Sequence, residues 1–294
     1  MNLDKLIART YNALTFTFLH YLSYVKVGAK TILKGDGIIN KLRLFIWVIL
    51  ALMRKVSAYY LPFLGASIES IRNQLARKII IFQNGSRFYC VDSASILILS
   101  DEYENWMWAY LNLKKSGVFV DIGAHIGKYT IPIARIVGEN GLVVAVEPYP
   151  ENYKTLVKNI KLNNLKNVIA LNIAAYSEEC RLKLFIGPSQ DLHSIKKDYG
   201  RGYIIVQAKA LDDILSYLKI ERVDYIKIDV EGGELEVLKG SLKTLKKAPT
   251  LVVEIWKDLT EVKEFMSKQG YSMEQISSGD YLFKPIALQR VDKG

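Results

Sequence analysis

The segment FVDIGAHIGKYT, residues 119–130, constrains the fold of this chain more than any other part of the sequence. An apolar run ends in Asp121, turns through Gly123 and Gly127, and continues into a helical pattern. This order is typical of the first strand, turn and helix of a doubly wound sheet, where the glycines permit a tight turn and a close approach. The segment therefore predicts an α/β fold with its ligand site at this turn.

The spacing of the glycines argues against a dinucleotide. A dinucleotide site needs G-x-G-x-x-G, so that a pyrophosphate can lie on backbone amides at the helix N-terminus. Counting from Gly123, the second and third positions of that pattern are His125 and Lys128. A nicotinamide or flavin cofactor, and with it an oxidoreductase, is therefore disfavoured.

Two acids at strand ends indicate a different ligand. Asp121 is placed to hold the ammonium of an amino-acid-like group, and Glu147 ends the next apolar run, LVVAVE, twenty residues after Gly127. An acid at that distance can accept hydrogen bonds from a ribose diol. An adenosyl amino acid meets both demands, so the predicted cofactor is S-adenosylmethionine.

A second informative segment is YIKIDVEGGELEVLKG, residues 225–240, where a predicted strand passes into a helix. Lys227, Asp229, Glu231 and Glu234 cluster there. The carboxyl ends of strands in open α/β sheets are where ligands bind. We therefore expect the chemistry to be divided between this rim and the glycine turn.

Together these segments carry a family resemblance. FVDIGAHIGKYT, AVEPYPENY, and IKIDVEGGELEVLKG followed by LVVEIW resemble the FkbM family of S-adenosylmethionine-dependent methyltransferases. The resemblance covers residues 100–285 and implies a Rossmann-like class I fold, with a mostly parallel seven-stranded sheet and an antiparallel edge. It also implies O-methylation of a hydroxyl on a sugar, glycolipid or related metabolite. The cofactor residues expected on this basis are Asp121, Gly123, Ala124, His125, Gly127, Glu147 and Ala175.

Methylation of a hydroxyl needs aligned reactants and benefits from a base, because a sugar hydroxyl is a weak nucleophile at neutral pH. Asp229 is the first candidate, Glu231 the second, and His193 the third. His193 lies in the polar insertion, residues 187–202, which we expect to fold over the site as a lid. In the alternative interpretation, the two acids only cap the helix that follows them.

The basic residues are concentrated near the N-terminus. Residues 1–80 contain twelve Lys or Arg and three acids, a net charge of +9 out of +10 for the whole chain of 294 residues. We expect a basic, mainly helical region at 1–78, with helices at 3–33, 38–60 and 65–76, and a methyltransferase domain at 79–290 with its core at 117–285.

The most apolar part of that region, LFIWVILALM at 44–53, is too short to span a bilayer, which needs about 20 residues. A helical layer packed on the core or in a homodimer, and peripheral membrane contact through residues 1–60, both remain open. No nucleic-acid-reading motif is evident. Cys90 and Cys180 lack metal-ligand spacing, so no metal site is predicted.

The predicted location is cytoplasmic, with attachment at the inner face of the membrane as the alternative. One further alternative concerns whether the protein is an enzyme. A non-catalytic, membrane-associated scaffold that keeps the fold is the competing hypothesis, because a fold alone does not establish catalysis. The acceptor is not indicated by any motif.

Overall fold

The computed structural model describes residues 27–60, 63–100, 105–111 and 113–286. Most of the predicted helix 3–33 lies outside the described residues, which are helical from 27 to 33. The chain divides into two compact units between Gln83 and Asn84.

The first unit contains α1 (Gly37–Tyr60), α2 (Leu64–Ala76) and strand β1 (Ile80–Gln83), which confirms the predicted helices 38–60 and 65–76. Helix α1 packs on α2 and buries Trp47, whose ring centroid lies 4.3 Å from the Arg72 guanidinium carbon. Arg72 in turn donates to Glu69 at 2.6 Å. In the described part of the chain, no helix is long and apolar enough to cross a membrane.

The second unit alternates strands and helices, as the sequence predicts. Its elements, in chain order, are β2 (Ser86–Tyr89), α3 (Ser93–Ile98), a 3₁₀ helix (Asn105–Ala109), β3 (Val118–Ile122), α4 (Thr130–Val137), β4 (Leu142–Val146), α5 (Pro150–Leu162), β5 (Val168–Leu171), β6 (Ala174–Tyr176), β7 (Cys180–Phe185), β8 (Tyr203–Ala210), α6 (Leu211–Tyr217), β9 (Tyr225–Ile228), α7 (Glu234–Lys239), α8 (Leu242–Leu245), β10 (Thr250–Glu254), α9 (Leu259–Lys268), β11 (Tyr271–Gln275) and β12 (Asp280–Pro285).

Seven of these strands form the main sheet, in the order β5-β4-β3-β9-β10-β12-β11. The pairings among β5, β4, β3, β9 and β10 are parallel, and β12 runs antiparallel to both β10 and β11. The order reverses beside β3, which has β4 on one side and β9 on the other. This is the switch point at which doubly wound sheets bind ligands. The predicted Rossmann-like class I architecture, with an antiparallel edge, is confirmed.

The central strands are buried on both faces, as parallel strands covered by helices are. In β3, Val120 and Ile122 pack with the core on one face, and Phe119 packs with the core on the other. Asp121 lies on the second of these faces in an otherwise apolar strand and is only 1% exposed. Such a buried acid needs a local reason, which the site provides.

A smaller sheet in the order β6-β8-β7 lies outside the main one. The sequence predicts strands at RLKLFI and YIIVQA, on either side of the polar insertion, and β7 and β8 confirm them. The sequence also predicts one strand over 168–173, but β5 ends at Leu171, and Ala174 pairs with Ala208 in the smaller sheet. The main chain therefore changes sheets immediately after β5.

Candidate active site

A cavity of about 560 Å³ opens where β3, β4, β9 and β10 end. This volume is within the range of about 300–1,000 Å³ usual for small-molecule sites. The polar insertion supplies much of one wall. Of the residues predicted to form the site, the lining includes Gly123, Ala124, His125, Glu147, Ala175, His193, Asp229 and Glu231.

Gly123 joins the two informative segments of the sequence. Its φ is +81°, and a Cβ placed on it would lie 1.7 Å from the carbonyl oxygen of Asp229. The N–H groups of Gly123 and Ala124 both donate to the carbonyl of Val146, at 3.0 and 3.1 Å. Because no other residue could approach the end of β9 so closely, glycine here brings the turn and Asp229 together.

The carboxylate of Glu147, which lines the cavity, is held by two backbone N–H groups. Its Oε2 accepts from the N–H of His125 at 2.8 Å and its Oε1 from the N–H of Tyr149 at 2.9 Å. Burial raises the pKa of Glu147 to about 7, although these two donors oppose the shift. Each carboxylate oxygen has further lone-pair capacity, so the group can also accept from the hydroxyls of a ligand.

Asn152 presents an unsatisfied acceptor to the cavity. The residue is 2% exposed, its Nδ2 donates to the carbonyl of Gln190 at 2.8 Å, and its Oδ1 has no partner among the described residues. A buried amide oxygen without a donor is costly, so Asn152 Oδ1 is available to a donor on a ligand. With Glu147, it gives the cavity two acceptors suited to the hydroxyl and amine donors of an adenosyl group.

Two residues predicted to contact the cofactor, Asp121 and Gly127, are not among those that line the cavity. Asp121 accepts from Thr130 Oγ1 at 2.5 Å and pairs in register with Lys227 on β9. Burial raises its pKa, and the Lys227 ammonium and Thr130 oppose that shift. Gly127, with φ +94°, faces Leu156 and Ile131, and its carbonyl accepts from the Ile131 N–H. Both residues shape the turn from behind.

At the rim of β9, Asp229 is held by a lysine. Lys227 is 4% exposed, donates to Asp229 Oδ2 at 2.9 Å, and lies 5.2 Å from the ring centroid of Tyr129. Burial favours the neutral acid, but the Lys227 ammonium and a hydrogen bond from Glu254 outweigh it. The pKa of Asp229 therefore lies below its ordinary value. Asp229 is an anion at neutral pH.

Glu231 and Glu254, the two acids beside Asp229, have raised pKa values, whereas that of Asp229 is lowered. Burial, followed by the charge of Asp229, raises the pKa of Glu254 to about 10 and that of Glu231 to about 8. Glu254 is consequently a neutral hydrogen-bond donor to Asp229 at neutral pH. Glu231 has φ +55°, a strained conformation of the kind often found in functional sites. The cluster thus combines one acceptor with two donors.

Oxygen atoms of Asp229, Glu231 and Glu254 lie within 4.8 Å of one another, which is close enough for a shared cation. Their charge is already compensated, however, by the Lys227 ammonium and by protons on the two glutamates.

His193 is engaged within the polar insertion. Its Nδ1 accepts from the N–H of Gly187 at 3.0 Å, so Nε2 carries the proton and faces Gln190 Oε1 at 3.2 Å. Burial, and then the nearby His125, lower its pKa to about 4. With both nitrogens engaged and a low pKa, the neutral imidazole is suited to bracing its loop and poorly suited to taking a proton.

The polar insertion is fastened over the cavity at several points, as expected for a cover. Ser194 Oγ donates to the carbonyl of Glu231 at 2.6 Å, and the Gln190 N–H donates to Asp92 Oδ2 at 3.1 Å. Lys196 forms an ion pair with Asp258 at 2.7 Å. These contacts connect the insertion to the segments that follow β2, β9 and β10.

Sequence reasoning did not single out Asn152. For Glu254, at the end of the apolar run LVVE, the sequence leaves two interpretations open: a wall of the pocket or a buried partner for Lys227. Asn152 lies within AVEPYPENY, but nothing local indicates that its amide oxygen lacks a donor. For Glu254 the signal was its position at the end of an apolar strand. Its role as a proton-bearing neighbour of Asp229 depends on the pairing of β9 with β10.

The sheet order, the nucleoside-sized cavity at the switch point and the acids at two strand ends define the class I methyltransferase architecture. The chain belongs to the FkbM methyltransferase family: the family model described as "Methyltransferase FkbM domain" matches residues 121–273, more than half of the sequence. Membership confirms the predicted family and, at the level of the family, S-adenosylmethionine as the cofactor.

Three relatives illustrate the range of the family. The chain is 30% identical to methyltransferase sdnD of Sordaria araneosa over 49% of this chain and 68% of that protein. It is 28% identical to methyltransferase 1 of Beauveria bassiana over 41% of this chain and 57% of that protein. It is 26% identical to the hexuronic acid methyltransferase AglP of Haloferax volcanii, over 55% and 66%. The chain thus spans only 57–68% of the lengths of these relatives.

Proposed function

We propose that this protein is an S-adenosylmethionine-dependent O-methyltransferase that acts on a hydroxyl of a sugar, glycolipid or related metabolite. The observation that carries the proposal is the anionic Asp229 at the cavity, held by Lys227 and flanked by the neutral Glu254. A carboxylate so placed can accept the proton of a hydroxyl.

For the cofactor, we propose that Glu147 accepts hydrogen bonds from the ribose hydroxyls and that Asn152 Oδ1 accepts from a nearby donor. Ala124 and Ala175, which are 4% and 6% exposed, provide apolar wall on the same side. When bound, S-adenosylmethionine supplies an electrophilic methyl group whose C–S bond breaks as the acceptor oxygen forms its new C–O bond. The protein aligns the two and excludes water.

For the acceptor, we propose that Asp229 takes the hydroxyl proton as the C–O bond forms. Glu231 is the second candidate for this role, and His193 is assigned to its loop. The choice of a sugar is supported by one relative, the hexuronic acid methyltransferase AglP. It is also supported by a rim whose donors and acceptors match a diol.

Replacing Asp229 tests this assignment. Asp229→Asn should lower kcat by about 100-fold or more while cofactor affinity changes little, because the amide cannot accept the proton. Asp213→Asn, at an exposed position of α6, is the matched control and should retain wild-type turnover. The readout is methyl transfer from labelled S-adenosylmethionine to glycan and lipid extracts, with the product identified by mass spectrometry. An unchanged rate in Asp229→Asn would exclude it as the base.

The competing hypothesis, a non-catalytic scaffold, predicts no methyl transfer to any fraction and no turnover difference between these two variants. It is disfavoured because a scaffold has no need for a buried acceptor without a donor at Asn152 or for three acids whose oxygens lie within 4.8 Å of one another.

We further propose that the first unit contacts the inner, anionic surface of a membrane, consistent with a cytoplasmic protein. Helix α1 exposes one continuous apolar stripe, with Ile38, Leu42, Phe45, Ile49 and Met53 exposed by 75, 58, 51, 40 and 52%. The spacing of three or four residues puts all five on one face. At 100° per residue, Lys41 and Lys55 lie on one side of the stripe and Arg43 and Arg54 on the other. Basic residues on both sides of an apolar stripe are the pattern of an interfacial helix.

Flotation of the full chain with vesicles tests this contact. Vesicles of phosphatidylcholine containing phosphatidylglycerol should capture the protein, and vesicles of phosphatidylcholine alone should capture much less. Phe45→Glu should reduce capture several-fold, whereas Ile71→Glu, at an exposed position of α2, should not. A dimer in solution that Phe45→Glu dissociates would instead assign the stripe to a second copy of the chain.

A further inference from the structure

We propose that Trp256 forms a stacking platform for the ring of a pyranose acceptor, with Gly279 as its support. The inference rests on the proposed function and adds to it a subsite, a ring shape and a residue that selects for that shape. Trp256 lines the mouth of the cavity two residues after Glu254, yet its side chain is 60% exposed. A large apolar side chain exposed at the edge of a polar cavity is a candidate contact for a ligand.

One side of the indole packs on Gly279. A Cβ placed on Gly279 would lie 3.1 Å from the Cη2 and Cζ2 atoms of Trp256, so the glycine backbone packs directly under the six-membered ring. Gly279 has φ +93°, and its carbonyl accepts from the N–H of Ile255 at 2.6 Å. The turn between β11 and β12 thus holds the indole in place and leaves much of it open. A platform ordered before binding loses little entropy when a ligand stacks on it.

The polar groups near this platform suit a ring with adjacent hydroxyls. A hydroxyl both donates and accepts, so a diol is best met by a mixed set of groups. At neutral pH, Asp229 accepts and Glu231 can donate, while the proton of Glu254 is already donated to Asp229. The oxygens of the three groups lie within 4.8 Å of one another. A pyranose can place its C–H face on the indole and direct a hydroxyl edge to these acids. A linear polyol has the same hydroxyls but no such face.

The polar insertion is connected to the segment that carries the platform. Lys196 forms an ion pair of 2.7 Å with Asp258, two residues after Trp256. This ion pair joins two segments that both line the cavity.

Binding of simple probes tests the platform. The full chain is saturated with S-adenosylhomocysteine and titrated with methyl β-D-glucopyranoside or with sorbitol, its ring-free counterpart. Saturation-transfer NMR should show transfer to the C–H protons on one face of the glucoside and little to sorbitol. Trp256→Ala should weaken glucoside binding about 10-fold, and Trp256→Phe should retain most of it. Gly279→Ala should also weaken it, because its methyl group displaces the indole. The control is Tyr217→Ala, which removes an exposed aromatic side chain that does not line the cavity.

Calorimetry with S-adenosylhomocysteine on the same samples separates the two proposals. If the wild-type protein does not bind S-adenosylhomocysteine, the proposed function is wrong, whatever the titrations with the glucoside and sorbitol show. Normal S-adenosylhomocysteine binding would leave the proposed function standing. With it, glucoside binding that is absent, equal to that of sorbitol, or unaffected by Trp256→Ala would overturn the platform.

Discussion

Asp229, Glu231 and Glu254 have carboxyl oxygens within 4.8 Å of one another, and their pKa values differ because their surroundings differ. Lys227 lowers the pKa of Asp229, while burial and the charge of Asp229 raise those of Glu231 to about 8 and Glu254 to about 10. Two groups whose surroundings push their pKa values apart usually have different roles in catalysis. In the proposed mechanism, the Asp229 anion accepts the proton of the acceptor hydroxyl, and the neutral acids donate hydrogen bonds.

The dependence of turnover on pH follows from this difference. A base with a lowered pKa is already ionised at neutral pH, so kcat should be constant from about pH 6 to 7 and should fall only in acid. Glu231→Gln should leave this plateau in place, since Glu231 is protonated there. Rate profiles of the wild type and this variant provide the measurement. A rise centred near pH 8 that disappears in Glu231→Gln would move the base to Glu231.

The sequence predicted the acids at the rim but not how each is satisfied. Asp229 and Glu231 were identified because they follow an apolar strand. His193 was a candidate only as a titratable residue in an insertion, and its engagement by Gly187 and Gln190 depends on the loop conformation. Asp121 was predicted to hold the cofactor, which stays a prediction, but its contacts with Thr130 and with Lys227 on β9 could not be derived from the motif.

The β3–α4 turn is the element on which the site depends, because it abuts the end of β9. Gly123 has almost the same φ as Gly270, the residue that ends the turn after α9: +81° and +82° respectively. Their surroundings differ, since a Cβ on Gly270 would meet nothing within 4 Å. The pair therefore separates the cost of the backbone conformation from the cost of contact.

Urea unfolding of two alanine variants measures that difference. Gly270→Ala should lower the free energy of unfolding by about 1 kcal/mol, the usual cost of a left-handed conformation for a residue with a Cβ. Gly123→Ala should lose about 3 kcal/mol or more, because Asp229 must move, and cofactor binding should be lost with it. Equal losses in the two variants would mean that the turn does not press on β9.

Element order was predictable from the sequence because hydrophobic runs alternate with helical patterns, as in 118–122 and 142–146. The change of sheet after β5 was not. Residues 168–173 are one apolar run but for Asn172, and only the pairing of Ala174 with Ala208, far along the chain, assigns β6 to the smaller sheet. Local patterns specify strands, whereas their partners depend on distant residues.

At the scale of the whole molecule, charge and function are unevenly distributed along the chain. The net charge of +9 lies in residues 1–80, while the family match covers residues 121–273. The sequence therefore predicted separate roles for these two parts of the chain. Vesicle flotation tests the role of the first part, and methyl transfer tests the role of the second. The domain limits 1–78 and 79–290 stay predictions. The residues that contribute to the site are dispersed from Asp92 to Asp258, which is why motifs alone could not describe its polar contacts.

The central claim is that this chain binds S-adenosylmethionine with Glu147 on the ribose. Calorimetric titration of the full chain tests it most directly, with Glu147→Ala compared with Glu139→Ala at an exposed position. We predict saturable one-to-one binding for the wild type and Glu139→Ala, and binding about 100-fold weaker for a folded Glu147→Ala, since hydrogen bonds to a charged group are lost. No saturable heat in the wild type, or equal affinity in all three proteins, would contradict the account.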